Sequence, residues 1–225
     1  MDLKSLILLV SLAVVGSSGL TIAADFFHPP RAILIYIFKP LTTVLILAAA
    51  LLPGTFPSDP YARAIAIGLV FSLLGDVFLM LPGNFFIPGL VSFLCAHLCY
   101  ILAFLPGAVW YTFLPALVPL ALIGVAVLGY LWPSLTPHLK PAVALYVAVI
   151  VTMAASAAGR AAAAPSLGAL LAAAGSLLFM TSDAALAVNR FRRPFRWAQA
   201  VVLGTYYAAQ LLIALSVGLA ILPAA

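Results

Sequence analysis

The chain has 225 residues, of which 66% are hydrophobic and only 7% charged, with a mean hydropathy of +1.27. That composition excludes the soluble globular classes and fits an all-α polytopic membrane protein. Ten Lys and Arg stand against five acidic residues, all Asp. Most of the basic ones fall in short loops, so the charge balance reads as topology and lipid contact rather than nucleic-acid binding.

In chain order, apolar windows long enough to span a bilayer cover Leu6–Ala24, Ala32–Leu52, Ala64–Leu81, Phe85–Leu105, Ala108–Leu131, Pro141–Ala158, Ser166–Val188 and Trp197–Leu222. Eight transmembrane helices in a single transmembrane domain, residues 1–225, are therefore predicted. The breaks carry helix-stopping residues: His28-Pro29-Pro30, Pro53-Gly54 through Pro60, Pro82-Gly83-Asn84, Pro106-Gly107, Pro133 through Pro137, and Pro165. Several connections are so short that neighbouring helices must be antiparallel hairpins. The first window, with Lys4 ahead of its apolar core and Ala23-Ala24 near its end, has features of a signal peptide. Its uncharged run is long for one, and it is read as a retained helix. Cys95 and Cys99 lie four residues apart on one helical face and read as small core residues, not as a disulfide framework.

Two aspartates stand inside these windows. In the third, Asp76 follows Gly68 and Gly75 and precedes Leu79; in the seventh, Asp183 follows Gly175 and Ser182 and precedes Leu186, at the same spacings. An aspartate inside an apolar span costs about 2.5–3.5 kcal/mol on insertion scales, so each is by default a functional-site hypothesis. The bland alternative is a carboxylate bonded to Ser, Thr or Tyr that ties helices together. The match lies four helices apart in the same direction and suggests a 4+4 parallel repeat, with binding sites between the halves. The same offset carries Tyr100 onto Tyr207.

At about 1.5 Å of rise per residue, both aspartates sit roughly 7–8 Å below one face, and Lys39, His97, Tyr206 and Gln210 within roughly 10–20 Å of it. One polar cavity opening toward that face is predicted, with both aspartates facing it and Lys39 and His97 lining it. Lys39, followed by Pro40, is either a snorkelling lysine or a counter-ion for an aspartate or a substrate phosphate. His97, the one histidine inside a span, reads as a hydrogen-bonded group rather than a ligand, so no metal site is expected. Tyr206, Tyr207 and Gln210 fit cavity lining and helix packing equally. The run Arg190–Arg196 reads first as an orientation signal and lipid-headgroup anchor. Serine-hydrolase, zinc-protease and phosphate-loop motifs do not occur.

Lys39-Pro40, the run from Ser72 to Asp76, then Phe86, Gly89, Phe93, His97 and Tyr100 form one ordered set. Leu178 through Asp183, Leu186, Asn189 and Phe191, and finally Tyr206 through Gln210, continue it. Together they resemble the YhhN-like family of eight-helix membrane proteins, which includes the lysoplasmalogenases. The resemblance implies cleavage of the vinyl-ether bond of a lysophospholipid within membrane lipid, giving a fatty aldehyde and a glycerophospho-base, without a cofactor. It implies Asp76 and Asp183 as the catalytic pair, one giving a proton to carbon and the other, near Lys39, acting as the anion that steadies an oxocarbenium ion and activates water. It also implies Lys39, Ser72, His97, Tyr100, Ser182, Asn189, Tyr206, Tyr207 and Gln210 as substrate-binding positions. On this reading neither aspartate tolerates Asn in turnover, although both Asn variants fold. Two other classes use the same residues: a proton-coupled transporter with the aspartates as relay, and a lipid-binding protein that tolerates the Asn changes.

Loops after the odd-numbered helices hold Arg31, Lys140, Arg190, Arg192, Arg193 and Arg196, against Lys4, Arg63 and Arg160 on the other side. In a bacterial inner membrane this puts both termini outside. A cysteine in place of Arg192 should be labelled by a membrane-impermeant thiol reagent only after the cytoplasmic face is opened. Labelling from the periplasm overturns the orientation.

Overall fold

The computed structural model describes residues 2–27, 32–56 and 58–219, leaving Arg31 and the His28-Pro29-Pro30 break outside the described residues. Among the described residues, eight helices long and apolar enough to cross a membrane follow one another. They are α1 (Leu3–Asp25), α2 (Ala32–Leu51), α3 (Pro60–Met80), α4 (Phe86–Phe104), α5 (Trp110–Leu131), α6 (Leu139–Ala163), α7 (Leu167–Ala187) and α8 (Ala198–Leu219). Hydropathy windows find the spans and miss their polar first turns. Asp2 accepts a hydrogen bond from the Ser5 amide and starts α1 ahead of Lys4. Asp59 caps α3 through the Tyr61 amide with Pro60 at the first helical position, four residues before the predicted start. Arg160, whose guanidinium donates to the Ala103 carbonyl and lies 4.5 Å over the Tyr61 ring, falls inside α6, which runs on to Ala163. After Ala187 the chain keeps turning through a π-helical segment, Val188–Arg192, which re-aims the end of α7.

The pairing of helices obeys a repeat. In the first half α1 packs on α2, α2 on α3 and α3 on α4; in the second α5 packs on α6, α6 on α7 and α7 on α8. The halves then exchange contacts in kind, α4 against α6 and α8 against α2. This is the neighbour pattern of a 4+4 parallel repeat, with the second and fourth helices meeting across the join. The matched glycines carry its tightest crossings. A Cβ at Gly68 would run into the Tyr100 ring of α4, and one at Gly175 would stand 2.8 Å from the Ala209 carbonyl of α8. Membrane helices approach this closely only through small residues.

The repeat fails at its first helix. α1 packs on both α2 and α8, whereas its counterpart α5 packs on α6 and leaves α4 nearly untouched. A seam between α4 and α5 results, beside a core whose centre is Phe93, Phe104, Phe179, Tyr100, Tyr206 and Met153. Exposed aromatic residues mark both ends of the bundle, Trp110 and Tyr111 at one, Tyr130, Trp132 and Trp197 at the other.

Gly175→Val should force α7 and α8 apart and lower the melting temperature in detergent, by an overpacking cost of about 1–3 kcal/mol. Gly204→Ala, where an added Cβ meets nothing within 4 Å, should be neutral or stabilising. Equal melting temperatures for the two variants would remove the close crossing from the account.

Candidate active site

Asp76 and Asp183 each lie four residues before the last residue of their helix, α3 and α7. Each is bonded by the second helix of its own half and the fourth helix of the other. Asp76 receives the Thr43 hydroxyl (2.6 Å) and, at 3.5 Å, the Lys39 ammonium, both from α2, and the Tyr206 hydroxyl (2.7 Å) from α8. Asp183 receives the Tyr146 hydroxyl (2.5 Å) from α6, and His97 Nε2 of α4 lies at 3.2 Å. The offset that carries Asp76 onto Asp183 carries Lys39 onto Tyr146. One scaffold thus builds two carboxylate sites and gives one an ammonium and the other a phenol.

The environments differ. Asp76 is 1% exposed and its two oxygens face Lys39, Thr43 and Tyr206. The Asp183 side chain is 15% exposed, and no described residue bonds its Oδ1. His97 is wholly buried, with Nε2 facing Asp183 Oδ2 and, at 2.9 Å, the Tyr146 oxygen. Because the Tyr146 proton is committed to Asp183, both atoms before Nε2 accept, which assigns the ring proton to Nε2. Its buried Nδ1 has no partner among the described residues.

Asp183 and Tyr146 wall a cavity of about 70 Å³ between α4, α5, α6 and α7. Leu90, Phe93, Val127, Leu131, Ile150 and Met180 are among the other residues of the wall, and the lining is apolar except for the acid and the phenol. The cavity lies beside the α4/α5 seam. On this measure one water needs about 10–15 Å³, so the space holds about five waters or a comparable stretch of hydrocarbon, and a longer chain must leave through the seam.

The predicted common cavity is corrected here. Asp76, Lys39 and His97 do not line the space that Asp183 lines. The route between the carboxylates is filled by rings: Tyr206, bonded to Asp76, packs at 5.4 Å on Phe179 and 5.7 Å on Phe93, and Phe179 packs at 4.6 Å on His97. The two aspartates hold the same position along their helices, four residues from the end, and are still walled apart. Helical rise gives the level of a side chain but leaves open which neighbours fill the space between two levels.

Other predicted residues are tied into packing. Ser72 lies 3.5 Å from the Tyr100 hydroxyl, which donates to Gln210 Oε1 at 2.7 Å. Ser182 donates to the Val202 carbonyl of α8 instead of to Asp183. Asn189 accepts from the Phe195 amide and shapes the loop after α7. Tyr207 is buried beside Thr21 and Thr42 without a well-directed bond to either. Tyr146 and Thr43 were missed. Thr43 has no signal beyond lying one turn after Lys39. Tyr146 had one, the repeat offset applied to Lys39.

Residues 34–217 match the model of the YhhN family. The chain is 37% identical over 171 residues to bovine lysoplasmalogenase TMEM86A, covering 72% of this chain and 68% of that protein. Against human lysoplasmalogenase TMEM86A it is 38% identical over 167 residues, with the same coverage. Against the uncharacterized membrane protein YhhN of Escherichia coli O157:H7 it is 28% identical over 202 residues, 90% of this chain and 95% of that one. No solved structure matches. With its eight spanning helices this is a multi-pass integral membrane protein, and the chain belongs to the YhhN family.

Proposed function

We propose that the protein is a lysoplasmalogenase, hydrolysing the vinyl-ether bond of a lysophospholipid at Asp183. The observation that carries this reading is a single acid, bonded by Tyr146 and His97, in the wall of an apolar cavity beside the α4/α5 seam. Its 36–38% identity to proteins named lysoplasmalogenase supports the same activity.

The alkenyl chain enters by the α4/α5 seam and its vinyl ether stops at Asp183. Oδ1 gives a proton to the outer vinyl carbon, leaving an oxocarbenium ion at the carbon that bears oxygen. The carboxylate so formed keeps the Tyr146 and His97 bonds, which are worth most when the acceptor is charged. It faces the cation across a cavity with little water to screen it. A water then adds to that carbon and returns a proton to Asp183. The hemiacetal collapses to a fatty aldehyde and the glycerophospho-alcohol. One carboxylate serves as acid and then as base. Tyr146 lines the cavity and touches substrate. His97 acts through Asp183 and Tyr146 and is a positioning residue.

Asp76 takes another role. Enclosed with Lys39, Thr43 and Tyr206, it joins α2, α3 and α8 and fixes the Tyr206 ring against Phe179, the ring that backs His97.

In purified protein, Asp183→Asn should lower aldehyde release by about 10²–10⁴-fold, the usual worth of a general acid. Tyr146→Phe should lower it about tenfold, the value of one hydrogen bond to a charged group. Full activity in Asp183→Asn would end this reading.

The two aspartates should separate in stability. Asp76→Asn leaves the Lys39 ammonium buried beside an amide and should cost about 3–5 kcal/mol, while adding Lys39→Met should recover most of the loss. Melting temperatures of both variants in one detergent are the check. An Asp76→Asn variant as stable as wild type would show that the pair does not hold the bundle.

A further inference from the structure

At the end of the cavity near the basic face, three cations lie on aromatic shelves. The Arg190 guanidinium is 5.3 Å over Phe86, Arg192 is 5.1 Å over Tyr130 and bonded to Ser134 Oγ at 3.0 Å, and the Lys140 ammonium is 5.0 Å over Trp132. One shelf lines the cavity and the other two flank Leu131, which also lines it. Phe86 itself lines the cavity, as does Phe191 between the two arginines and Leu131 beside Trp132. Among the described residues none of the three cations pairs with an acidic side chain. A loop that served only to orient helices would need its charge and nothing more. Here three charges from α6 and the turn after α7 each lie over a ring at one end of the bundle, a ring that lines the cavity or is next in sequence to a residue that does.

Their height above the acid is set by the helices. Arg190 follows Asp183 by seven residues and Lys140 precedes Tyr146 by six, on helices that run in opposite directions. Both therefore stand roughly 9–11 Å above the Asp183–Tyr146 pair. In a single-chain glycerophospholipid, six ordinary bonds separate the first chain carbon from phosphorus, roughly 7–8 Å when extended. With that carbon at Asp183, the phosphate stops roughly 1–4 Å short of those backbone positions, a gap that a Lys or Arg side chain spans.

We propose that Lys140, Arg190 and Arg192 form the phosphate site of this protein and select, for the Asp183 cavity, lipids with one chain and a phosphate about six bonds from its first carbon. The proposal rests on the cavity being the lipid site and is tested without turnover. Binding of 1-oleoyl-lysophosphatidylethanolamine, an ester that lacks the vinyl ether, is compared with binding of 1-oleoylglycerol, which has the chain and no phosphate. Wild type should prefer the phospholipid by about tenfold or more, as for hydrogen bonds to a charged group. Lys140→Gln/Arg190→Gln/Arg192→Gln should lose that preference while binding 1-oleoylglycerol as before, and Arg190→Gln alone should lose part of it. Arg63→Gln, the same change of charge on the opposite face, should keep it. Circular dichroism establishes that each variant is folded, and Arg190→Gln carries the test if the triple variant is not.

A preference that survives in the folded variants, or that Arg63→Gln also removes, overturns the site. So does sn-glycerol 3-phosphate binding as tightly as the lysolipid, which would make it a site for soluble phosphate esters. Phospholipid preference without aldehyde release from a vinyl-ether substrate keeps the site and refutes the hydrolase reading. Aldehyde release without the preference does the reverse.

Discussion

A carboxylate inside a bilayer has no water to answer it, so every oxygen of Asp76 and Asp183 must find its partner on a neighbouring helix or in a cavity. The architecture follows from how the chain meets that demand twice. Gly68 and Gly175 bring α3 against α4 and α7 against α8 closely enough for side chains two helices away to reach an aspartate. The second helix of the same half and the fourth of the other half then close around it. This requirement explains why the halves interlock through α2 with α8 and α4 with α6.

The same scaffold gives the two carboxylates different surroundings because their partners change from one half to the other. Lys39 fills the place beside Asp76 that Tyr146 fills beside Asp183. An ammonium makes an ion pair that closes Asp76 into the bundle. A phenol satisfies one oxygen and leaves the other free. The α5 helix completes the difference by leaving α4 beside the second site, while its counterpart α1 stays packed on α8 beside the first. A buried ion pair between helices and a carboxylate set in a cavity wall are thus two outcomes of one duplicated arrangement.

Much of this was legible in the chain. Eight spans, their order and the shared depth of the aspartates follow from apolar windows and from Pro and Gly breaks, because lipid allows few other solutions. The repeat was visible at Gly68, Asp76 and Leu79 against Gly175, Asp183 and Leu186, since those positions carry the crossings and the charges. The walls between side chains were not legible. Phe93, Phe179 and Tyr206 are three aromatic residues among many in the sequence, and only packing makes them the partition between the carboxylates. Asn189 looked like a polar site residue and serves a turn, because an amide near a helix end suits both. The Arg190–Arg196 run was read for its charge, and nothing in the sequence says that Phe86 and Tyr130 lie beneath its guanidinium groups.

The central claim is that Asp183 does the chemistry while Asp76 holds the fold. It is tested most directly by aldehyde release from a lysoplasmalogen, per folded molecule, in Asp76→Asn/Lys39→Met set beside Asp183→Asn. The first changes both partners of the buried pair and leaves the cavity wall intact, so it should turn over within about tenfold of wild type, the range of one strong hydrogen bond. If a folded Asp76→Asn/Lys39→Met protein instead falls as far as Asp183→Asn, the two aspartates act together and the single-carboxylate account is wrong.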